Sequence, residues 1–214
     1  MPEHCALCHG AAAERLLCGP CYAELPWLPA RHCPQCAMPT TDGNVCGACL
    51  SKPPRFDAVN AAFVYDWPLA PLIQQYKYAG NLALAQLFAH ALATKITGAV
   101  DLIIPMPLAP ARLSGRGFNQ ALEIARIVGR IRKIDVSPTA CRRVRASPPQ
   151  ATLPWKERAR NIRGAFVCDT DLRGTRVAII DDVLTTGATL NELARNLRKA
   201  GALEIHGWVV ARAL

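Results

Sequence analysis

Residues 177–190 read Val-Ala-Ile-Ile-Asp-Asp-Val-Leu-Thr-Thr-Gly-Ala-Thr-Leu. Val177–Ile180 is apolar and rich in β-branched side chains, which predicts a short strand buried on both faces, as inside a parallel sheet. Two adjacent carboxylates, Asp181 and Asp182, stand at its C-terminal end. Thr185-Thr186-Gly187-Ala188-Thr189 then turns into a helix predicted over Ala188–Ala200. In open α/β sheets ligands bind beyond the carboxyl ends of the strands. A hydroxyl- and glycine-containing turn at a helix N-terminus offers backbone N–H groups and the positive end of the helix dipole to a phosphate. Carboxylates beside that cradle can accept hydrogen bonds from sugar hydroxyls. Together these features describe a site for a ribose 5-phosphate. No Gly-Lys-Ser/Thr follows the turn, so it is not a Walker P-loop, and no G-x-G-x-x-G marks a dinucleotide fingerprint.

Upstream, Ser51-Lys52-Pro53-Pro54 breaks regular structure and is a natural boundary. After it, Phe56–Tyr65 reads as a strand and Pro68–Tyr76 as a helical start, followed by a loop at Lys77–Gly80. Asn81 is expected to cap a helix running to about Thr97, and Leu102–Pro105 is a short buried strand. A basic, glycine-containing loop at Arg112–Gly117 leads into a helix from about Asn119 to Arg130. Residues 134–140 read as a strand, residues 141–163 as a long mobile loop, and His206–Ala213 as the last strand. Strands alternating with helices imply a largely parallel sheet with helices on both faces.

Eight of the ten cysteines fall in the first 49 residues, as Cys5/Cys8, Cys18/Cys21, Cys33/Cys36 and Cys46/Cys49. Each pair is a Cys-x2-Cys, and Cys-x2-Cys-x9-Cys-x2-Cys occurs twice. A Cys-x2-Cys turn aims two thiolates at one point, and two such turns complete a tetrahedron around zinc. Consecutive pairing of the four knuckles gives two zinc ribbons and is favoured by the equal spacing, while pairing the first with the third and the second with the fourth is the interleaved alternative. Four thiolates leave no open coordination position, so both metals are expected to be structural. A disulfide framework competes with this reading, but the start, Met1–Cys8, lacks the basic-then-apolar pattern of a signal peptide, and a reducing cytoplasm is the expected setting. Cys141 and Cys168 stand alone in the body and read as small buried hydrophobes.

Charge divides the chain in the same place. Residues 1–50 are net −2 and the remainder net +11, giving +9 over 214 residues. A basic body suits phosphate-bearing partners, either small phosphorylated molecules or nucleic acid. The most apolar helical candidate, Leu82–Ile96, is too short to span a bilayer and holds Gln86, His90 and Lys95, so membrane insertion is not expected.

The Val177–Leu190 segment resembles the phosphoribosyl pyrophosphate (PRPP) signature of type I phosphoribosyltransferases. The chain as a whole resembles the ComF family (ComFC or GntX-like), which joins a double zinc ribbon to a phosphoribosyltransferase domain. Besides the cysteines and the signature, the likeness rests on Tyr76–Gly80, Ile104–Leu108, Arg116–Gln120, and Arg142, Gln150, Leu153, Arg158, Asn161 and Ala165-Phe166. It implies an α/β fold, a type I phosphoribosyltransferase-like mostly parallel sheet with helices on both faces, plus a small N-terminal zinc-ribbon domain. The implied domains are 1–51 for the ribbon and 52–214 for the body, with 142–163 as a flexible hood loop. Asp181 and Asp182 would hold the ribose hydroxyls, and Thr185, Thr186, Gly187, Ala188 and Thr189 the 5′-phosphate. Arg112 and Arg116 would lie near pyrophosphate, and Lys77 and Arg158 complete the implied PRPP-binding set. The hood carries Arg142, Arg143, Arg145, Lys156, Arg158, Arg160 and Arg163 against a single acid, Glu157. Such a segment could fold over a pyrophosphate leaving group and exclude water.

The implied reaction is displacement of pyrophosphate from PRPP by an unspecified acceptor, with Mg²⁺ carried by PRPP and two structural Zn²⁺ in the ribbons. Amidotransferase chemistry is not expected, because the first cysteine, Cys5, belongs to a zinc knuckle. The family's association with natural transformation makes single-stranded DNA a second expected partner. A non-catalytic PRPP-fold protein that binds single-stranded DNA in competence is the alternative reading.

Overall fold

The computed structural model describes residues 4–12, 16–145 and 162–214. Five parallel strands form the main sheet in the order β1-β7-β6-β2-β3. They are β1 (Ala58–Val64), β2 (Leu102–Pro105), β3 (Asp135–Val136), β6 (Arg176–Leu184) and β7 (Glu204–Arg212). The central strand is β6, and its Val177–Ile180 run has no exposed surface. That is the burial expected of a strand covered on both faces.

Two helices, α4 (Ala83–Ala93) and α6 (Gln120–Arg132), pack on each other and against the sheet. A third, α7 (Ala188–Lys199), packs against the opposite face. Side-chain alternation explains the division. On β7, Gly207 faces Leu190 of α7 so closely that a Cβ there would lie 2.6 Å from the leucine side chain. Asn60, paired with the neighbouring Trp208, instead donates to the Lys95 carbonyl and the Thr97 hydroxyl just beyond α4.

The ribbon segment holds two single-turn helices, α1 (Gly19–Ala23) and α2 (Gly47–Ser51), each opening inside a cysteine knuckle. It lies along the outer edge of β1. The Val64 and Val59 amides donate to the Pro26 and Pro34 carbonyls at 2.7 and 3.0 Å, and the Leu28 amide donates to the Ala62 carbonyl at 2.9 Å. Trp27 stacks on the buried Phe63 with ring centroids 4.5 Å apart, so ribbon and body share one core.

Several local expectations are corrected. The helix α3 runs Leu69–Tyr78, so Lys77 and Tyr78 are helical rather than in a loop. Leu82, not Asn81, stands at the N-cap of α4. Arg112–Gly117 is mostly helix: α5 spans Pro110–Arg116, with proline in its first turn and Gly117 left-handed at its C-cap (φ +76°). The strand expected over 134–140 is only Asp135–Val136.

A separate antiparallel pair follows, β4 (Cys141–Arg143) with β5 (Phe166–Cys168). Cys141 and Cys168 face each other in its register and form a disulfide, so they are not solitary hydrophobes. Of the span expected to be a hood, Arg142 and Arg143 lie in β4, while 146–161 fall outside the described residues.

Candidate functional site

The acid pair sits where the sheet opens. Strand β2 ends at Pro105 opposite Ile180, whereas β7 continues beside β6 to pair Leu184 with Arg212. Asp181 and Asp182 are therefore within β6 itself, one step past the end of β2, and not at the strand's terminus as the sequence suggests. The gap left by β2 is the mouth of a cavity of about 330 Å³.

Both carboxylates line this cavity, with Thr185, Gly187, Ala188 and Thr189 of the turn on one side. Gly187 caps α7 in the left-handed region (φ +76°), a conformation that lets the turn bend straight into the helix. Thr186 belongs to the same turn, and its hydroxyl accepts from the Ala188 amide at 3.3 Å. Among the described residues four cations join the lining: Lys77 from α3, Arg112 and Arg116 from α5, and Arg143 from β4. Lys77 Nζ lies 2.9 Å from Asp182 Oδ1. Arg116 stacks on the Tyr78 ring, 4.9 Å from its centroid, and donates to the Tyr78 hydroxyl.

The electrostatics follow from this crowding. Burial raises Asp181 to about 7, and the neighbouring Asp182 adds to the rise, while the Asp182 amide, Lys77 and Arg143 oppose it. Burial likewise holds Arg143 below its ordinary value, with Arg112 adding repulsion and Asp181 attraction. Four cations around two acids give a cavity that favours a polyanion, with the acids confined to one wall.

The structure thus brings together most of the sequence-derived set: Lys77, Arg112, Arg116, Asp181, Asp182, Thr185, Gly187, Ala188 and Thr189 line the cavity, and Thr186 does not. Arg158 lies outside the described residues. Arg143 was expected only as part of a mobile hood, yet it is buried in the cavity wall. Tyr65, Gln74, Tyr78 and Gln120 also line the cavity, Gln120 closing the Arg116–Gln120 run, and no sequence signal marks Tyr65 or Gln74. Tyr78 follows Lys77 in the chain, so the Tyr76–Gly80 run carried a signal for it.

The eight N-terminal cysteines form two groups of four, Cys5/Cys8/Cys18/Cys21 and Cys33/Cys36/Cys46/Cys49, so the knuckles pair consecutively. Within each group the sulfurs lie within 4.8 Å of one another. The Cys8–Cys18 and Cys36–Cys46 sulfurs are 3.7 and 3.6 Å apart. Four sulfurs about 2.3 Å from a central zinc would be about 3.8 Å from each other in a tetrahedron. The donor set and its spacing fit zinc.

Fold and cavity define a phosphoribosyltransferase-fold protein carrying a double zinc ribbon. A double zinc ribbon domain model matches residues 1–50, and a phosphoribosyl transferase domain model matches residues 143–214. The chain is 35% identical to DNA utilization protein YhgH of Shigella flexneri over 191 residues, 85% of this chain and 84% of that one. It is 33% identical to competence protein F of Haemophilus influenzae over 220 residues, 98% of this chain and 90% of that one. Among solved structures, a glutamine PRPP amidotransferase from B. subtilis aligns with a TM-score of 0.41 and 19% identity over 57% of this chain and 25% of that one. The chain belongs to the ComF family of competence protein F and YhgH. No helix among the described residues is long and apolar enough to cross a membrane.

Proposed function

We propose that this cavity binds PRPP and that the protein transfers its phosphoribosyl group to an acceptor with release of pyrophosphate. The observation that carries the reading is the meeting of an acid pair, a phosphate turn and four cations in one cavity. In this reading residues 1–51 are a structural double zinc ribbon, and residues 52–214 form the ligand-binding body with a hood at 142–163.

Thr185–Thr189 hold the 5′-phosphate at the α7 N-terminus, where backbone amides and the helix dipole favour an anion. Asp181 and Asp182 accept hydrogen bonds from the ribose hydroxyls and orient the ring. Arg112, Arg116 and Arg143 surround the leaving group, and Lys77 and Arg158 complete the ligand contacts. Positioning and charge complementarity supply most of the rate in such a site. As the C1–O bond to pyrophosphate lengthens, the positive charge growing on the sugar is stabilised by the carboxylates, and the leaving group's negative charge by the arginines. The anionic oxygens of the cavity wall are the Asp181 and Asp182 carboxylates, the ligand type Mg²⁺ prefers, and Lys77 already holds one oxygen of Asp182. These carboxylates would suit a Mg²⁺ carried by PRPP, which would supply charge neutralisation of the pyrophosphate leaving group.

The relatives' names, competence and DNA utilization, support a working context of DNA uptake. The basic body supports contact with nucleic-acid phosphates. A protein that binds single-stranded DNA without turnover is the competing reading, favoured by those same names. Calorimetric titration of PRPP with Mg²⁺ into the purified protein, beside the Asp181→Asn/Asp182→Asn variant, separates them. Binding that the variant loses is the expected result. Absence of PRPP binding together with single-stranded DNA binding would favour the second reading.

A further inference from the structure

We infer that Arg212 is a positioning residue that ties the second cysteine cluster to the phosphate turn, an inference that rests on the proposed reading of that turn. Arg212 is the last residue of β7 and only 8% exposed. Its Nε donates to the carbonyl of Cys36 at 2.9 Å, and Cys36 is one of the four sulfur donors of the second cluster. Its Nη1 donates to the Leu184 carbonyl at 2.9 Å and to the carbonyls of Thr185 and Ala213. One buried guanidinium therefore spans a metal knuckle and the first residue of the phosphate turn, which are 149 positions apart in sequence.

A buried guanidinium needs its donors satisfied, and here backbone carbonyls serve as the acceptors. A zinc held by four thiolates carries a formal charge of about −2, so the cation also faces a compensating negative cluster. Arg212 holds the Leu184 and Thr185 carbonyls without itself lining the cavity. The turn's amides can then keep their orientation toward the cavity without a contact from the ribbon to the ligand itself. In this way the second ribbon gains a role beyond its own stability: with metal present the Cys36 carbonyl is held in place, and Arg212 and the turn are held with it. The first cluster has no equivalent link to the turn among the described residues.

Arg212→Met keeps most of the side-chain volume and removes the donors. The test is amide hydrogen exchange without ligand at Asn191, whose amide donates to the Gly187 carbonyl of the turn at 2.8 Å, and at Ala213, whose amide donates to the Leu184 carbonyl at 2.9 Å, compared with the β6 core at 177–180. Metal analysis and PRPP–Mg²⁺ calorimetry accompany it. The expected result is exchange at these two amides faster by about tenfold, the order of losing one charge-assisted hydrogen bond. Zinc should remain at the wild-type count, exchange at 177–180 should be unchanged, and PRPP affinity should fall by a similar factor. A Cys49→Ser variant that loses the second metal should speed exchange at the same two amides. Unchanged exchange at both amides in Arg212→Met with its zinc retained would overturn the inference. Exchange does not depend on PRPP, so a wild type that fails to bind PRPP would defeat the reading of the site while leaving this result standing.

Discussion

Lys77 Nζ and Asp182 Oδ1 form an ion pair 2.9 Å long, with only 17% and 13% of the two side chains exposed. The pair joins the last turn of α3 to the central strand across the floor of the cavity. A sugar hydroxyl reaching Asp182 must share it with Lys77, so one oxygen is committed before the ligand arrives. Removing either partner leaves a partly buried charge without compensation. Lys77→Met and Asp182→Asn should each lower stability by about 1–3 kcal/mol, and the double variant by less than the sum, with a coupling of about 1–2 kcal/mol. Denaturant unfolding of the four proteins measures it, and a coupling near zero would dissolve the pair as an energetic unit.

The raised Asp181 gives stability a pH dependence with a definite sign. An unfolded aspartate titrates near 3.9, whereas the folded one is held up to about 7 by burial and by Asp182. Between those values the folded protein keeps a proton that the unfolded chain gives up, so this residue's contribution to stability falls as pH rises toward 7. Asp181→Asn removes the ionisation. Its stability relative to wild type should therefore improve between pH 5 and pH 8, by about 1–2 kcal/mol after allowance for the coupled neighbours. Chemical denaturation at the two pH values decides it, and a difference that stays flat or reverses would contradict the sign.

Consecutive pairing of the knuckles can be read from metal counts. Cys8→Ser/Cys18→Ser damages one cluster and should leave one zinc per chain. Cys8→Ser/Cys36→Ser damages both and should leave none. Interleaved pairing would give the opposite counts for the two variants.

The strand, turn and helix around Asp181 were legible because each signal is local: a β-branched run, a Thr/Gly turn, then an amphipathic helix. The eight cysteines were legible from their spacing. Their equal spacing favours consecutive pairing, and the two clusters in the fold have it. Helix α5 was missed because Arg112–Gly117 has no apolar stripe, although Pro110 in its first turn and the left-handed Gly117 are start and stop signals. Arg143 and the Cys141–Cys168 bridge depend on two three-residue strands that meet only after the chain has left and returned. No window of sequence contains that meeting. Arg212 was hidden for the same reason, since its acceptors come from the ribbon, from β6 and from the turn.

The ribbon's position along β1 bears on how copies of this protein meet one another. A parallel sheet has two open sides, and an unpaired side is a template for a neighbouring molecule's backbone. One side here is β3, which is two residues long. On the other side, Pro26, Leu28 and Pro34 of the ribbon take up β1's outer hydrogen bonds. The metal clusters that shape the ribbon therefore act as guards of colloidal behaviour as well as of local folding. A chain stripped of its metals would offer a seven-residue adhesive margin to every other copy in solution.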